Sequence, residues 1–199
     1  MLDRFYLIVD DSDSLAQFLP LGLKCVQLRI KSASKSELRA SIRASKQICE
    51  EFNCQLIIND YWELAIEEEC KAIHLGQEDL DTADLKAIQS AGIRYGISTH
   101  DKKELNRALV LEPNYIALGP VYATLLKKMP WRPQGLEKLT HWKNMVGEIP
   151  LVAIGGLTPE RAEGVFAAGA DSICVVTDVK QNNDPSARVK QWLELCSEY

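Results

Sequence analysis

Paired cysteines are missing from this chain, as are long apolar runs and any surplus of positive charge. Its six cysteines, Cys25, Cys49, Cys54, Cys70, Cys174 and Cys196, are scattered with no CxxC pair. Such scatter argues against a zinc ribbon or a disulfide framework and favours reduced thiols. Cys25 and Cys174 lie in apolar, strand-like runs, where a free thiol packs as a small hydrophobe. No apolar stretch approaches the roughly 18 residues that a membrane helix needs. Met1-Leu2-Asp3-Arg4 leads directly into a strand pattern, without the profile of a secretory leader. A soluble, cytoplasmic protein without a membrane partner is expected. The formal net charge of -5 lacks the basic balance of a nucleic-acid binder, so no nucleic-acid partner is expected either. A local cluster of Arg and Lys can still hold a small anionic ligand. Internal repeats and low-complexity segments are absent too.

What is present is a recurring alternation. At 199 residues, 46% apolar and 26% charged, the chain is sized for one well-buried globular domain. Short apolar runs read as strands at Phe5–Val9, Cys25–Ile30, Gln55–Ile58, Ala72–Leu75, Tyr95–Ser98, Tyr115–Leu118, Leu151–Ile154 and Ser172–Val176. Amphipathic stretches separate them, such as Lys35–Phe52 with Leu38, Ile42, Ala44 and Ile48 on one stripe. Thr82-Ala83-Asp84-Leu85 reads as a helix start, and so does Thr158-Pro159-Glu160-Arg161, with an N-cap Thr before a Pro at the first helical position. Eight such units predict a single-domain (β/α)₈ barrel, near the small end for that fold. An open doubly wound sheet is the alternative. The first βα turn, Asp10-Asp11-Ser12-Asp13, lacks its glycine-rich fingerprint.

The polar residues gather where strands end. Leu56-Ile57-Ile58 flows into Asn59-Asp60, and Ala72-Ile73-His74-Leu75 flows into Gly76-Gln77-Glu78-Asp79. If those strands are neighbours, Asp60 and Asp79 converge, and two hard oxygen donors beside phosphates suit Mg²⁺. Each carboxylate alone reads equally well as a helix cap or a salt-bridge partner. Arg29 and Lys31 close the second strand, where alternation aims Gln27 and Arg29 inward. A guanidinium fork beside an ammonium suits a diphosphate, whereas a buried Arg paired with Asp60 or Glu78 is the structural reading. Ser98 ends the fifth strand, and His74 reads as a satisfied core histidine rather than a catalytic one. Gly155-Gly156 and Val175-Val176-Thr177 follow the last two strands, a common place for a phosphate in barrels. The connection 119–135 has three prolines and no helical stripe, and its Lys127, Lys128 and Arg132 suit a lid over an anion.

Together these residues resemble the thiamine-phosphate synthase family. The segments Gln27-Leu28-Arg29-Ile30-Lys31, Ile58-Asn59-Asp60, His74-Leu75-Gly76-Gln77-Glu78-Asp79, Gly96-Ile97-Ser98-Thr99-His100, Gly119-Pro120-Val121-Tyr122, Val152-Ala153-Ile154-Gly155-Gly156 and Val175-Val176-Thr177 carry the resemblance, in order, over nearly the whole chain. It implies a transferase that joins hydroxymethylpyrimidine diphosphate to thiazole phosphate, releasing pyrophosphate by a dissociative route with Mg²⁺. It further implies that Gln27, Leu28, Arg29, Ile30, Lys31, Asn59, Ser98 and Lys127 hold the pyrimidine diphosphate. On the same basis Arg29, Lys31 and Lys127 assist departure of pyrophosphate, and Asp60 and Asp79 ligate the metal. Thr124, Leu125, Leu126, Gly156, Val176 and Thr177 would hold the thiazole phosphate. Two departures stand out. Leu126 replaces a second threonine of the family loop, and Thr177 replaces the serine that usually ends the eighth strand, keeping its hydroxyl. Asp178, next along, adds a negative charge near the phosphate site. A thiazole tautomerase-like barrel and a non-catalytic phosphate-binding regulatory barrel are the competing readings. The tautomerase lacks the metal residues and carries a His where Pro120 stands. Phosphorylated small molecules are the expected partners, with self-association as a homo-oligomer left open.

Overall fold

The alternation of apolar runs and amphipathic stretches resolves into a closed parallel barrel in strict sequence order, β1 pairing with β8. The computed structural model describes residues 2–124 and 131–199. The strands are β1 Phe5–Val9, β2 Cys25–Leu28, β3 Gln55–Asn59, β4 Ala72–Leu75, β5 Arg94–Thr99, β6 Tyr115–Leu118, β7 Leu151–Ile154 and β8 Ser172–Val175. The helices among the described residues are α1 Asp13–Phe18, α2 Lys35–Glu51, α3 Trp62–Glu67, α4 Leu85–Ser90, α5 Lys102–Val110, α6 Gly135–Val146, α7 Pro159–Ala167, α8 Thr177–Lys180 and α9 Pro185–Cys196. The open-sheet alternative is thereby set aside.

Strand alternation builds two cores. Phe5, Leu7, Val26, Ile58, Ile73, Ile97, Ile116 and Ile173 point outward beneath the helices. Tyr6, Ile8, Cys25, Ile57, Ala72, Tyr115, Ala117, Val152 and Cys174 fill the barrel itself. Room for the Tyr115 ring is made by Gly96 on the neighbouring strand, where an added Cβ would lie 2.2 Å from Tyr115 Cε1. Any side chain there would evict the ring.

Helix ends follow the capping chemistry of the sequence. Ser34 and Glu37 form a reciprocal capping box at the start of α2, and Asp84 and Asp101 cap α4 and α5. Thr158 occupies the N-cap of α7 before Pro159, without a side-chain cap bond. The buried stripe of α2 is Leu38, Ile42, Ser45 and Cys49, while Ala44 and Ile48 sit half-buried at its margin. Position on the face outweighs hydropathy here, since Ser45 is fully buried while the more apolar Ile48 is not.

Two strands are shorter than the apolar runs suggest. β2 ends at Leu28, so Arg29, Ile30 and Lys31 belong to the βα connection. β8 ends at Val175, and Thr177 opens α8. Even so, the Arg29 N–H still bonds the Val9 carbonyl at 2.8 Å, a contact that a single apolar run does not reveal.

Candidate active site

The C-terminal rim is polar on one side. Four consecutive strands, β2 to β5, each send a polar side chain to the inner face near that rim: Gln27, Asn59, His74 and Ser98. Gln27, Asn59 and His74 are buried, and Ser98 is half-buried. His74 is held at both nitrogens, by the Tyr115 hydroxyl at 2.8 Å and by Ser98 Oγ at 2.7 Å. Gln77 fixes the same corner by donating to the Ser98 carbonyl at 2.8 Å. Tyr115 is not flagged by the polar strand ends, although alternation back from Ala117 marks it as inward-facing. His74 is therefore a satisfied core histidine, as its apolar surroundings suggest. Asn59 differs, because its buried Nδ2 has no partner among the described residues. An unpaired buried amide is expensive, and a ligand acceptor would satisfy it.

Burial pushes the His74 pKa down to about 4 from its ordinary 6.5. A group with a depressed folded value stays neutral in the native state while the unfolded chain takes up a proton. Stability is thus complete above pH 6.5 and declines as pH falls towards 4. Between pH 7 and 5 the loss from this group is roughly 2 kcal/mol. Asp79, whose folded value is raised, contributes the opposite slope. The His74 part should therefore appear as the difference between the urea midpoints of wild type and His74→Asn at the two pH values. Parallel curves would refute it.

β3 and β4 are neighbours, with Asn59 opposite His74, and this adjacency brings Asp60 and Asp79 together. Asp60 has a φ of 67°, a left-handed conformation that turns the chain sharply out of β3. Its carboxylate meets Lys31 Nζ at 3.2 Å. Asp79 Oδ2 accepts the Gly76 N–H at 2.8 Å. Desolvation first, and the like charge of Asp60 second, raise Asp79 above the ordinary carboxylate value. A recess of about 400 Å³ lined by Asp60, Asp79, Lys35 and Trp62 opens beside them, between the connections that follow β2 and β3.

Two mutually repelling carboxylates suit a small hard cation. Among the described residues, no group of three or more His, Cys, Asp or Glu side chains is placed to hold an ion. Mg²⁺ commonly takes only one or two carboxylates from a protein, with water and phosphate oxygens completing its shell.

The structural alternative for the cations is corrected in one detail. Lys31, not Arg29, takes Asp60; among the described residues half-buried Arg29 has no carboxylate partner. The Lys31–Asp60 pair is solvent-accessible and weak, so its ammonium is available to an incoming anion. Thr99 and His100 serve packing. Thr99 Oγ1 bonds the Ala117 carbonyl and accepts from Trp142, while His100 pairs with Glu104 and stacks on Trp131 at 5.5 Å.

Across the mouth, Gly155 and Gly156 follow β7 and Val176-Thr177 follow β8. Gly156 has a φ of 65°, and an added Cβ would lie 2.4 Å from the Ala123 carbonyl oxygen. The loop after β6 therefore crosses directly over this turn, ending its described part at Thr124. Leu125, Leu126, Lys127 and Lys128 lie outside the described residues. The negative charge expected of Asp178 is corrected: both its oxygens accept from Arg188 at 2.8 Å, and Trp192 Nε1 donates to it at 2.7 Å. It anchors α8 to α9 rather than repelling a phosphate.

Known proteins are similar over nearly the whole chain. A protein described as thiamine-phosphate synthase from Rhizobium etli is 58% identical over 192 residues, covering 96% of this chain and 94% of its own length. One of the same description from Salmonella dublin is 45% identical over 190 residues, covering 96% and 90%. A solved thiamine phosphate pyrophosphorylase from Pyrococcus furiosus shares the fold with a TM-score of 0.87 at 26% identity, over 98% of this chain and 96% of that one. Fold and relatives define a (β/α)₈-barrel transferase. The family described as thiamine monophosphate synthase matches residues 5–179, and the chain belongs to it.

Proposed function

We propose that this transferase joins hydroxymethylpyrimidine diphosphate to thiazole phosphate, forming thiamine phosphate and pyrophosphate by a dissociative route. The observation that carries the reading is the meeting of Asp60 and Asp79 at one rim, beside Lys31 and the unpaired Asn59 amide. Arg29, Lys31 and Lys127 receive the diphosphate, and the backbone from Gln27 to Lys31 lies against it. Asn59 Nδ2 and the Ser98 hydroxyl take the pyrimidine side. Asp60 and Asp79 hold Mg²⁺, which when bound neutralises charge on the departing pyrophosphate. Thr124, Leu125, Leu126, Gly156, Val176 and Thr177 receive the thiazole phosphate, and the connection 119–135 covers both substrates.

This site has no activated nucleophile of its own. The C–O bond of the pyrimidine methylene breaks, its electron pair leaves with pyrophosphate, and the thiazole nitrogen then donates a pair to the carbon. Preorganised positive charge at the leaving group is the main requirement of such a step. The reading also takes the protein to be cytoplasmic, acting on small phosphorylated molecules.

A coupled assay for pyrophosphate tests the reaction: release should need both the pyrimidine diphosphate and Mg²⁺, with thiamine phosphate formed in equal amount. No product from the two substrates would reject it. The dissociative route is tested separately by single turnovers with thiazoles of graded nucleophilicity. A chemical step that follows their nucleophilicity would establish direct displacement instead.

A further inference from the structure

At the opposite end of the barrel, α2 terminates in a left-handed cap built with sulfur. Asn53 adopts a φ of 51°. The Cys54 N–H returns to the Cys49 carbonyl at 2.8 Å, and the Asn53 N–H returns to Glu50 at 3.2 Å. These paired bonds define a Schellman motif, in which the residue after the left-handed position packs on the residue three places before the helix end. Ordinarily that contact is hydrophobic. Here both partners are cysteines, and both are buried.

α3 supplies an internal control. Glu69 has a φ of 52°, and the Cys70 N–H returns to the Ala65 carbonyl at 2.8 Å. The same motif thus sets Cys70 against an alanine, and it gains no thiol partner from its own cap. Cys49, Cys54 and Cys70 all line one recess of about 430 Å³, where Lys24, Lys46, Lys71 and Arg94 outnumber Glu50 and Glu69.

We propose that Cys49 and Cys54 form a redox-convertible dithiol, oxidised within the folded barrel by low-molecular-weight disulfides that carry carboxylates. Hydrogen bonding to the Cys54 thiol lowers Cys49 despite its burial, whereas burial leaves Cys70 raised to about 11. Cys49 is thus the attacking sulfur. Its thiolate bonds to one sulfur of the reagent, RSSR; the reagent S–S bond breaks, and RS⁻ leaves and takes a proton from water. Cys54 gives up its proton to solvent and attacks the Cys49 sulfur of the mixed disulfide, expelling a second RS⁻. The balance is one dithiol plus RSSR giving one protein disulfide plus two RSH. The cationic recess favours an anionic reagent. Intracellular disulfides of this kind are transient rather than structural.

The test uses the folded, full-length chain incubated with oxidised glutathione, after which remaining thiols are blocked with a maleimide and the chain is cleaved at glutamates. Glu50 and Glu51 separate Cys49 from Cys54, and Glu69 separates both from Cys70, so the fragments report connectivity directly. The expected product joins the Cys49 and Cys54 fragments and leaves the other four of the six cysteines blocked. Cys54→Ser should retain glutathione on Cys49. Six blocked thiols, a Cys54–Cys70 link, or a wild type that stops at the mixed disulfide would each overturn the proposal. If Cys54→Ser does not fold, the wild-type fragment map decides alone.

Discussion

Asp79→Ala is expected to lower turnover by about a hundred- to a thousandfold, the usual consequence of removing one preorganised electrostatic contact to the reacting charge. The fold should hardly notice. Asp79 is a cost to the empty protein, since burial and the like charge of Asp60 both raise its pKa. Against that stands one bond, from the Gly76 N–H at 2.8 Å, whose net worth is about 1 kcal/mol. The two contributions oppose each other, so the urea midpoint should stay close to wild type. Excess chelator should abolish wild-type turnover in the same way. Near-normal turnover in Asp79→Ala, or in chelated wild type, would remove the metal from the proposed mechanism. A collapse in stability would show instead that Asp79 is structural.

Gly156→Ala should act on the other substrate. The substitution forces a side chain into left-handed backbone and sets its Cβ 2.4 Å from the Ala123 carbonyl. The crossing loop must give way, carrying Thr124 with it. Strain of about 1–3 kcal/mol at such a position corresponds to roughly ten- to a hundredfold weaker thiazole-phosphate binding. Affinity for the pyrimidine diphosphate should change far less, because its proposed contacts lie on β2 to β5. Equal loss for both substrates, measured by titration, would mean that the whole mouth had been disturbed.

The sequence is a good guide to the barrel because each strand is buried on both faces and bounded by turn residues. All eight runs are strands, and the errors are confined to their ends. Those ends depend on partners: whether Arg29 belongs to a strand is decided by β1 and β3, not by its own neighbours in the chain. The convergence of Asp60 and Asp79 was legible as a condition, fulfilled once β3 and β4 pair. His74 was legible from its apolar run, whereas the Tyr115 that holds it comes from a strand two places away. The partners of Asp178 are not legible in the sequence, because Arg188 and Trp192 approach it from α9, a full helix later. The cysteine pair is hidden in the sequence for a similar reason. Five positions separate Cys49 from Cys54, no motif spacing flags them, and only the left-handed Asn53 brings them together.

The pairing of β1 with β8 also sets a timetable. β1 is finished at Val9, but its second neighbour begins only at Ser172. At synthesis rates of about 5–20 residues per second, that edge waits roughly 8–30 seconds for its partner. During the wait the inner and outer faces of β1, fully buried in the finished barrel, are open to other chains. Phe5 stacks on Trp192 of α9 at 5.3 Å, so the seam is sealed only after α9 has left the ribosome. A nascent chain stalled before α9 should therefore be a strong client for holdase chaperones, more so than the same length removed from the middle of the barrel wall would suggest.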